Sequence, residues 1–383
     1  MINTDVHSTK VFIVMYNSIE SFPPTLNAIH ELAPRVKEIV CLSPKKLHNS
    51  QWQYPNNVRH IYSQDEPTIK NTRWQTVKNY FRFTKLFRTT LASINPDILL
   101  VYDGIALGLI TLSKVDLSGI KTKWYHNHDV FDKRFVNSLS FTALLAKKEQ
   151  VGVNRFDLLT IPAKERLNHF PTFKGKQFVL PNYPRVQEQN KLFPKKNKIR
   201  PKELDVIYQG RISNAHGLEE LILYMASNPQ VQIRLHLVGF VKPAYKATLI
   251  DFAKQNNVYD LIDFQENIPY EDLYAITSKY HVGWAVNKPI TIMYKTGGTA
   301  SNKIYEYASA GLPIVYFDEP GYTEYLSKFP WAFPCDLKSS TLEDIFQTIL
   351  NSYQLLAEQA HYDFINRLNF NIEFDKLLNT DVL

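Results

Sequence analysis

Three side chains that can hold or move a proton lie within four residues of one another in the stretch KWYHNHDVFDKRF, namely His126, His128 and Asp129. A β-strand is predicted over 123–128, so the two histidines share one face and Asp129 points away. At the carboxyl end of a strand, such groups suit acid–base catalysis or recognition of a hydroxyl. A zinc site would need a third ligand at a useful spacing, which is missing. A structural histidine is the alternative for either one alone.

A second stretch, TGGTASNKIYEYASAGLPIVYF at 296–317, places a double glycine before a predicted helix. Ser301 or Asn302 is a suitable N-cap, and unobstructed backbone N–H groups in such a turn can cradle a diphosphate. Glu306 falls in the first two turns, where a carboxylate also complements the helix dipole. A capped helix that ends at Gly311 explains the same residues, so both interpretations stay open.

The stretch YQGRISNAHGLEELI places an arginine where a strand meets a helix. The strand ends at Gly210, Arg211 follows, and the helix begins near His216. A guanidinium beside a positive helix end forms a plausible anion site, although a surface arginine is the simpler interpretation when it stands alone.

Short, nearly continuous apolar runs that alternate with helical patterns must position these residues. This alternation predicts an α/β protein with two doubly wound, Rossmann-like domains that face each other across a cleft. Ligands bind beyond the carboxyl ends of the strands in such domains. Strands are predicted at 11–16, 38–43, 58–63, 98–103, 123–128, 158–163, 178–182, 204–210, 233–239, 261–267, 282–287 and 313–318; helices are predicted near 24–33, 72–93, 105–115, 139–153, 217–227, 243–256, 271–279, 302–310 and 341–358.

The length of 383 residues also favours two domains. The predicted division is an N-terminal domain at 1–185, a basic linker at 186–202, a C-terminal domain at 203–360 and a final segment at 361–383. The two cysteines lie far apart in apolar runs, which indicates buried thiols of a reducing compartment. Neither a secretory signal nor a membrane-spanning run is recognisable, so a cytoplasmic protein is expected.

The net charge of +7 is unevenly spread along the chain. No acid occurs between Glu66 and Asp97, where lysines and arginines alternate with aromatic residues. A helix over 70–90 could lie on an anionic membrane surface, or it could bury its rings and leave its cations in water. No nucleic-acid partner is expected, because no recognised reading motif accompanies the charge.

Several stretches, taken together and in order, resemble a GT-B-fold glycosyltransferase close to the retaining family 4 (glycosyl transferases group 1). The resemblance covers most of the chain. It is carried by YHNHDVF, RFDLLTIPAKERL, VLPNYP, YQGRISNAHGLEELI, LHLVGF, IDFQENIPYEDLYAITSKYHVGWAVN and SNKIYEYASAGLPIVYF.

The resemblance implies an N-terminal domain that takes the acceptor and a C-terminal domain that binds a nucleotide-diphosphate sugar. It also implies that the segment at 361–383 is a C-terminal helix that returns to the N-terminal domain. It assigns Glu306 to the ribose hydroxyls and Arg211 to the diphosphate, while Asn267 and Ile268 fall where the backbone meets the base. It assigns His128 and Asp129, with His126 beside them, to the acceptor and the transferred sugar. The expected nucleotide-binding set is Gly210, Arg211, His216, Asn267, Ile268, Thr299, Ser301, Asn302, Lys303 and Glu306.

The sequence departs from the family pattern at three places. His216 stands where a second basic residue is usual, and Gly298 stands where many members carry a sugar-contacting glutamate. The glycine-rich loop after the first strand is replaced by YNSIESFPP. No Asp-x-Asp triplet is present, so a metal-independent enzyme is expected, and retention of anomeric configuration is favoured over inversion.

The resulting expectation is a hexosyltransferase that moves a sugar from a nucleotide-diphosphate donor to a glycan or lipid-linked acceptor. Synthesis of bacterial surface polysaccharide or glycoconjugate is the expected setting, with peripheral contact at the inner membrane face. No resident cofactor is expected, because the nucleotide sugar is a substrate. The alternatives are a non-catalytic partner subunit and a nucleotide-sugar epimerase of the same fold.

Overall fold

The computed structural model describes residues 8–45, 50–63, 73–131, 140–194 and 203–380. The chain divides into two compact units. The N-terminal unit comprises Met1–Pro181 and Asn371–Leu383, and the C-terminal unit comprises Asn182–Phe370.

A seven-stranded parallel sheet organises the N-terminal unit, with the strand order β3-β2-β1-β4-β5-β6-β7. Its central strands are fully buried apolar runs, as expected when helices cover both faces. The strands are β1 (Lys10–Met15), β2 (Glu38–Ser43), β3 (Val58–Tyr62), β4 (Ile98–Tyr102), β5 (Thr122–His126), β6 (Leu158–Ile161) and β7 (Lys176–Val179).

Within its described residues this unit has four α-helices between its strands: α1 (Pro23–Leu32), α2 (Arg73–Ile94), α3 (Gly104–Ser113) and α4 (Phe141–Gly152). One face of α2 supplies Phe83 and Phe87 to the core, and the ring of Phe87 stacks on Phe12 of β1. The chain therefore buries only part of the aromatic set of this helix.

A six-stranded parallel sheet organises the C-terminal unit, with the strand order β10-β9-β8-β11-β12-β13. Its strands are β8 (Glu203–Gln209), β9 (Gln232–Val238), β10 (Ile262–Gln265), β11 (Val282–Trp284), β12 (Ile314–Phe317) and β13 (Ala332–Cys335). Its helices are α5 (Leu218–Ser227), α6 (Pro243–Gln255), α7 (Tyr270–Thr277), α8 (Ile292–Lys295), α9 (Asn302–Ser309), α10 (Pro320–Leu326) and α11 (Ser339–Asn366).

The last helix, α12 (Phe370–Leu378), packs on the N-terminal unit. Asp375 accepts a hydrogen bond of 2.7 Å from Arg35, and the side chain of Asn371 donates to Glu31 at 2.8 Å. The ring of Phe374 lies 6.1 Å from that of Trp124. The chain thus crosses into the first unit at 370/371, ten residues after the boundary that the sequence predicts at 360/361.

All twelve predicted strands are present, and the two parallel sheets with interleaved helices confirm the α/β, doubly wound fold class. Strand β13 was not predicted, because Pro334 interrupts its pattern; proline is tolerated there because β13 lies at the sheet edge. Residues 195–202 of the predicted linker lie outside the described residues. In the part of the chain that the structure describes, no helix is long and apolar enough to cross a bilayer.

Candidate functional site

Glu306 lies on α9, beside the carboxyl end of β8. One of its carboxylate oxygens accepts a hydrogen bond of 2.6 Å from the side chain of Gln209, the last residue of β8. Gln209 is itself held by the hydroxyl of Thr277, which donates to its side-chain oxygen at 2.8 Å. Burial raises the pKa of Glu306 to about 7, although Gln209 and Lys303 favour its charged form. The carboxylate is therefore oriented by Gln209, which Thr277 holds in turn.

A small cavity opens next to this carboxylate. Tyr274 of α7 carries a buried hydroxyl on this cavity that has no hydrogen-bond partner within the described residues. The wall is formed by Glu306, Ser309, Tyr270, Leu273, Tyr274, Thr277 and residues of the segment 184–190. An aromatic wall with a carboxylate at its edge suits a ligand that has a flat ring and adjoining hydroxyls.

Asn182 holds the glycine-rich loop before α9. Its backbone N–H donates to Thr299 O at 3.0 Å, and its side-chain amide donates to Ala300 O at 2.8 Å. Ser301 occupies the N-cap position, but its side chain makes no capping hydrogen bond, and its own N–H is taken by the carbonyl of Gly297 at 2.9 Å. The helix start therefore has no side-chain cap, and the predicted donor at Ser301 N is already engaged.

Gly298 is pressed against α10. A Cβ at this position would lie 2.2 Å from Gly321 O and 2.7 Å from the ring of Tyr325. The hydroxyl of Tyr305 also donates to Gly298 O at 2.5 Å. A glutamate cannot occupy this position without moving the loop, so the departure from the family pattern is built into the packing.

Tyr208, near the end of β8, connects the following loop, which contains Gly210 and Arg211, with Lys303 of α9. Gly210 has a φ of +113°, a conformation that L side chains rarely adopt. The Arg211 side chain is exposed, while its backbone oxygen accepts a hydrogen bond of 2.8 Å from the Tyr208 hydroxyl. Lys303 Nζ donates to the same hydroxyl at 2.8 Å. The Tyr208 hydroxyl thus contacts both the ammonium of Lys303 and the backbone of Arg211.

His216 is buried, with 2% of its surface exposed, and its ring lies 4.7 Å from that of Tyr208. Its Nδ1 lies 3.3 Å from Val286 O, and its Nε2 makes no hydrogen bond of normal geometry within the described residues. Burial, followed by the neighbouring Lys303, lowers the pKa of His216 to about 3. The histidine is therefore neutral at physiological pH, so it supplies no positive charge at the position where the family usually has a second basic residue.

Asn267 and Ile268 follow β10, immediately before Pro269, the N-cap residue of α7. Asn267 is exposed and Ile268 is partly buried. Tyr270, two residues further on, lines the cavity beside Glu306. The chain thus places this loop at the same edge of the sheet as the other predicted nucleotide-binding residues.

His126 and His128 form the centre of a hydrogen-bonded run in the N-terminal unit, which we term the histidine chain: Thr160, His126, His128 and Thr25. The distances are 2.7 Å from Thr160 Oγ1 to His126 Nδ1, 3.1 Å from His126 Nε2 to His128 Nδ1, and 2.9 Å from His128 Nε2 to Thr25 Oγ1. One set of tautomers satisfies every ring nitrogen, with each Nε2–H donating to the next acceptor.

Burial lowers the pKa of His126 to about 3 and that of His128 well below its ordinary value. Both rings are therefore neutral, and all four of their nitrogens are engaged inside the unit. In this arrangement no ring nitrogen of the two histidines is left to exchange a proton with a ligand. Their role in proton transfer stays a prediction.

Asp129 lies apart from this chain, with 67% of its side chain exposed and Arg166 Nη1 at 3.7 Å. Arg166 Nη1 also donates to the carbonyl of His128.

The neighbouring Asp103, at the end of β4, was not predicted from the sequence. It accepts a hydrogen bond of 3.2 Å from His128 N, and burial followed by Asp129 raises its pKa to about 8. Its φ of +66° is a strained conformation of the kind that clusters at functional sites.

Comparison with known proteins identifies the C-terminal unit. Residues 189–362 match the family Glycosyl transferases group 1. The C-terminal unit is a group 1 glycosyltransferase domain. The resemblance to GT-B glycosyltransferases that the sequence motifs indicate is thereby confirmed. No curated protein sequence shows significant similarity to the chain.

Solved structures of glycosyltransferases share the fold over almost the whole chain. Sucrose-phosphate synthase from Thermosynechococcus elongatus is similar with a TM-score of 0.70 and 15% identity, over 96% of this chain and 97% of that one. Anabaena HepE (Alr3699) in complex with UDP and glucose is similar with a TM-score of 0.67 and 14% identity, over 96% of this chain and 98% of that one. WaaG, a glycosyltransferase involved in lipopolysaccharide biosynthesis, is similar with a TM-score of 0.64 and 13% identity, over 97% of this chain and 100% of that one.

The glycosyltransferase domain brings together Gly210, Arg211, His216, Lys303 and Glu306, whereas His126, His128 and Asp129 belong to the N-terminal unit. Sequence reasoning missed Gln209, Thr277, Tyr274 and Asn182. Gln209 could have been found from the sequence, because it is a polar residue at the carboxyl end of an apolar strand, directly before Gly210. Ligands of such parallel sheets bind beyond the carboxyl ends of the strands. Among the described residues, no group of three or more histidine, cysteine or acidic side chains could hold a metal ion.

Proposed function

We propose that the chain transfers a hexose-type sugar from a nucleotide-diphosphate donor to a glycan or lipid-linked acceptor, in the synthesis of bacterial surface polysaccharide or glycoconjugate. The observation that carries the proposal is the oriented carboxylate of Glu306 on the wall of the tyrosine-lined cavity, inside a group 1 domain. The cavity suits a base and ribose, and Arg211, two residues after the Gln209 that orients Glu306, would neutralise the diphosphate that departs.

The proposed division of labour follows from the chemistry of each group. Glu306 accepts hydrogen bonds from the vicinal ribose hydroxyls. The loop at Thr299–Asn302 and the backbone at Asn267 and Ile268 contact the phosphates and the base. Asp129, with His128 and His126 behind it, faces the acceptor. The reaction needs no metal or resident cofactor in this proposal, and retention of configuration is favoured.

A nucleotide screen followed by a transfer assay tests this function. Thermal shift with UDP-, GDP-, ADP- and dTDP-sugars should reveal one preferred donor, because a bound ligand raises apparent stability by mass action. UDP-sugars are the first choice, since HepE is similar and its structure holds UDP. The failure of every diphosphate nucleotide to bind would refute the proposal.

Incubation of the preferred donor with the isolated chain then separates the alternatives. A transferase releases the nucleotide diphosphate, slowly with water and quickly with an acceptor glycan. A non-catalytic partner subunit would bind the donor and leave it intact. An epimerase would convert the donor to a second nucleotide sugar with no acceptor present.

We further propose that the protein is cytoplasmic and contacts the inner membrane face through α2. Trp74 and Phe81 on this helix are 84% and 74% exposed, and Val77 lies between them at 37%. These positions follow helical spacing on one face, together with the exposed Lys78 and Lys85, and the helix contains no acid. An apolar stripe edged by cations is complementary to an anionic lipid surface.

Flotation with liposomes tests this contact. The chain should float with anionic vesicles at low salt and lose most of its binding at high salt or on zwitterionic vesicles. A Trp74→Ser, Phe81→Ser variant should stay at the bottom of the gradient, whereas a Leu223→Ser control, at another exposed position (45%), should float. Absence of binding by the wild type at low salt would rule out the membrane contact.

A further inference from the structure

A diphosphate that leaves in the proposed reaction carries more negative charge than Arg211 alone can balance. The usual second cation of the family would stand at position 216, but His216 is buried, neutral and enclosed by aromatic rings, with Tyr208 at 4.7 Å and Tyr294 at 5.7 Å. Charging this imidazole would require a proton against a pKa of about 3. Another group must therefore provide the charge.

Lys303 is the group whose surroundings fit this role. Its Nζ donates one hydrogen bond, to the Tyr208 hydroxyl at 2.8 Å, and lies 4.1 Å from the centre of that ring. An ammonium has three N–H donors, and the Tyr208 hydroxyl is the one hydrogen-bond acceptor that the described residues offer them, so two donors remain for a ligand.

The position of Lys303 also links it to the phosphate side of the site. The Tyr208 hydroxyl that accepts from Lys303 donates in turn to the backbone oxygen of Arg211. Lys303 follows directly on the glycine-rich loop and precedes Glu306 by one helical turn. A ligand whose ribose is held by Glu306 would have its phosphates within reach of this corner.

We propose that Lys303 replaces the missing cation at position 216, and that binding of the diphosphate is coupled to uptake of one proton by its amine. The inference rests on the proposed function and adds to it a pH dependence that a fixed arginine or an accessible lysine would not produce. One proton moves from the solvent to Nζ when the nucleotide binds, and it returns when the nucleotide leaves.

The charges that face Lys303 set the pH range of this coupling. Burial lowers its pKa to about 7, and Glu306 on the same helix opposes that shift. Tyr208 of β8 and His216 of the following loop also face it, and both are neutral at physiological pH. A diphosphate would raise the pKa of the bound state, so affinity should fall as pH rises above 7: about fivefold from pH 7 to 8 and about ninefold from pH 8 to 9.

Glu306 produces the opposite dependence and must be separated from it. Its pKa of about 7 means that the carboxylate is lost as pH falls below 7, which weakens the ribose contact on the acid side. A nucleoside that lacks phosphates reports only this acid limb. The diphosphate nucleotide should report both limbs, with a maximum of affinity near pH 7.

Calorimetry at pH 8 in two buffers of different ionisation enthalpy tests the coupling, with UDP and uridine as probes, or with the pair of whichever base binds in the screen. The terminal phosphate of the free nucleotide is already ionised at this pH. We expect uptake of about 0.9 proton for UDP and none for uridine. Wild-type binding of UDP without proton uptake would overturn the inference and leave the proposed function standing, whereas absence of all nucleotide binding would overturn the function itself.

Two variants assign the proton to its residue. Lys303→Arg carries a permanent charge, so it should bind UDP with an affinity that does not fall between pH 7 and 9 and with no proton uptake. Lys246→Arg, at a lysine of α6 whose Nζ lies 4.9 Å from the centre of the Phe264 ring and which is not part of the proposed site, should keep the wild-type uptake and affinity. Proton uptake that persists in Lys303→Arg, or disappears in Lys246→Arg, would assign the coupling to another group and refute the proposal.

Discussion

The histidine chain of the N-terminal unit and the side chains around Glu306 in the C-terminal unit are both polar clusters with buried groups. They differ in how completely their polar atoms are hydrogen-bonded. Every ring nitrogen of His126 and His128 has a hydrogen-bond partner. In contrast, the hydroxyl of Tyr274, on the cavity beside Glu306, has none within the described residues. An unpaired buried polar group costs free energy, so a fold retains one where a ligand completes it. The difference predicts that changes in the histidine chain act on stability and changes near Glu306 act on binding.

Glu306→Gln should give the largest effect on binding. The substitution keeps the size of the side chain and a hydrogen bond with Gln209, but removes the charged acceptor for the ribose hydroxyls. We expect affinity for UDP and uridine to fall about 30–100-fold, corresponding to about 2–3 kcal/mol, in calorimetry at pH 7.5. Unchanged affinity for every diphosphate nucleotide would contradict the assignment of this residue.

The stability of the same variant provides the control. Burial raises the pKa of Glu306 to about 7, so its ionised form destabilises the fold as pH rises above the unfolded value and most fully above pH 7. Glutamine carries no such charge. The variant should therefore melt at the same temperature as the wild type, or higher, at pH 8, which separates a binding defect from misfolding.

Thr25→Val should show the opposite pattern. Thr25 is fully buried, and its loss leaves the Nε2–H of His128 without an acceptor. We expect the free energy of unfolding to fall by about 1–3 kcal/mol in urea denaturation, with UDP affinity unchanged. Thr25→Ser retains the hydroxyl and should recover most of the loss. A large drop in UDP affinity in the valine variant would break the distinction between the two clusters.

Tyr274→Phe should give the smallest effect on binding, without the loss of stability that is expected for Thr25→Val. Its hydroxyl has no hydrogen-bond partner among the described residues, so its removal should leave stability unchanged or raise it by up to about 1 kcal/mol, while UDP affinity falls about threefold. Tyr362→Phe removes a hydroxyl from a residue that is 54% exposed and should change neither quantity. Lower stability with unchanged affinity would indicate that the Tyr274 hydroxyl serves the fold and not a ligand.

The local sequence pattern was sufficient to predict the strands and the helix that carry the site. Nearly continuous apolar runs marked the buried strands, because both faces of a parallel sheet are covered and a period-2 alternation is absent. The helix that begins at Asn302 was predicted from the polar stretch before it and from Gly311 after it. The short helices α8 and α10 were not predicted, since four and seven residues are too few to display a helical period.

The sequence by itself determined the fold class and the positions of the strands along the chain. It also indicated Arg211, Lys303 and Glu306 as candidate site residues. Tertiary structure alone decided their chemistry. The neutrality of His216, the orientation of Glu306 by Gln209 and the exclusion of a side chain at Gly298 all arise from contacts between residues tens of positions apart. A pKa depends on desolvation and neighbouring charges, and a steric limit depends on which backbone lies opposite, so neither can be read from local sequence.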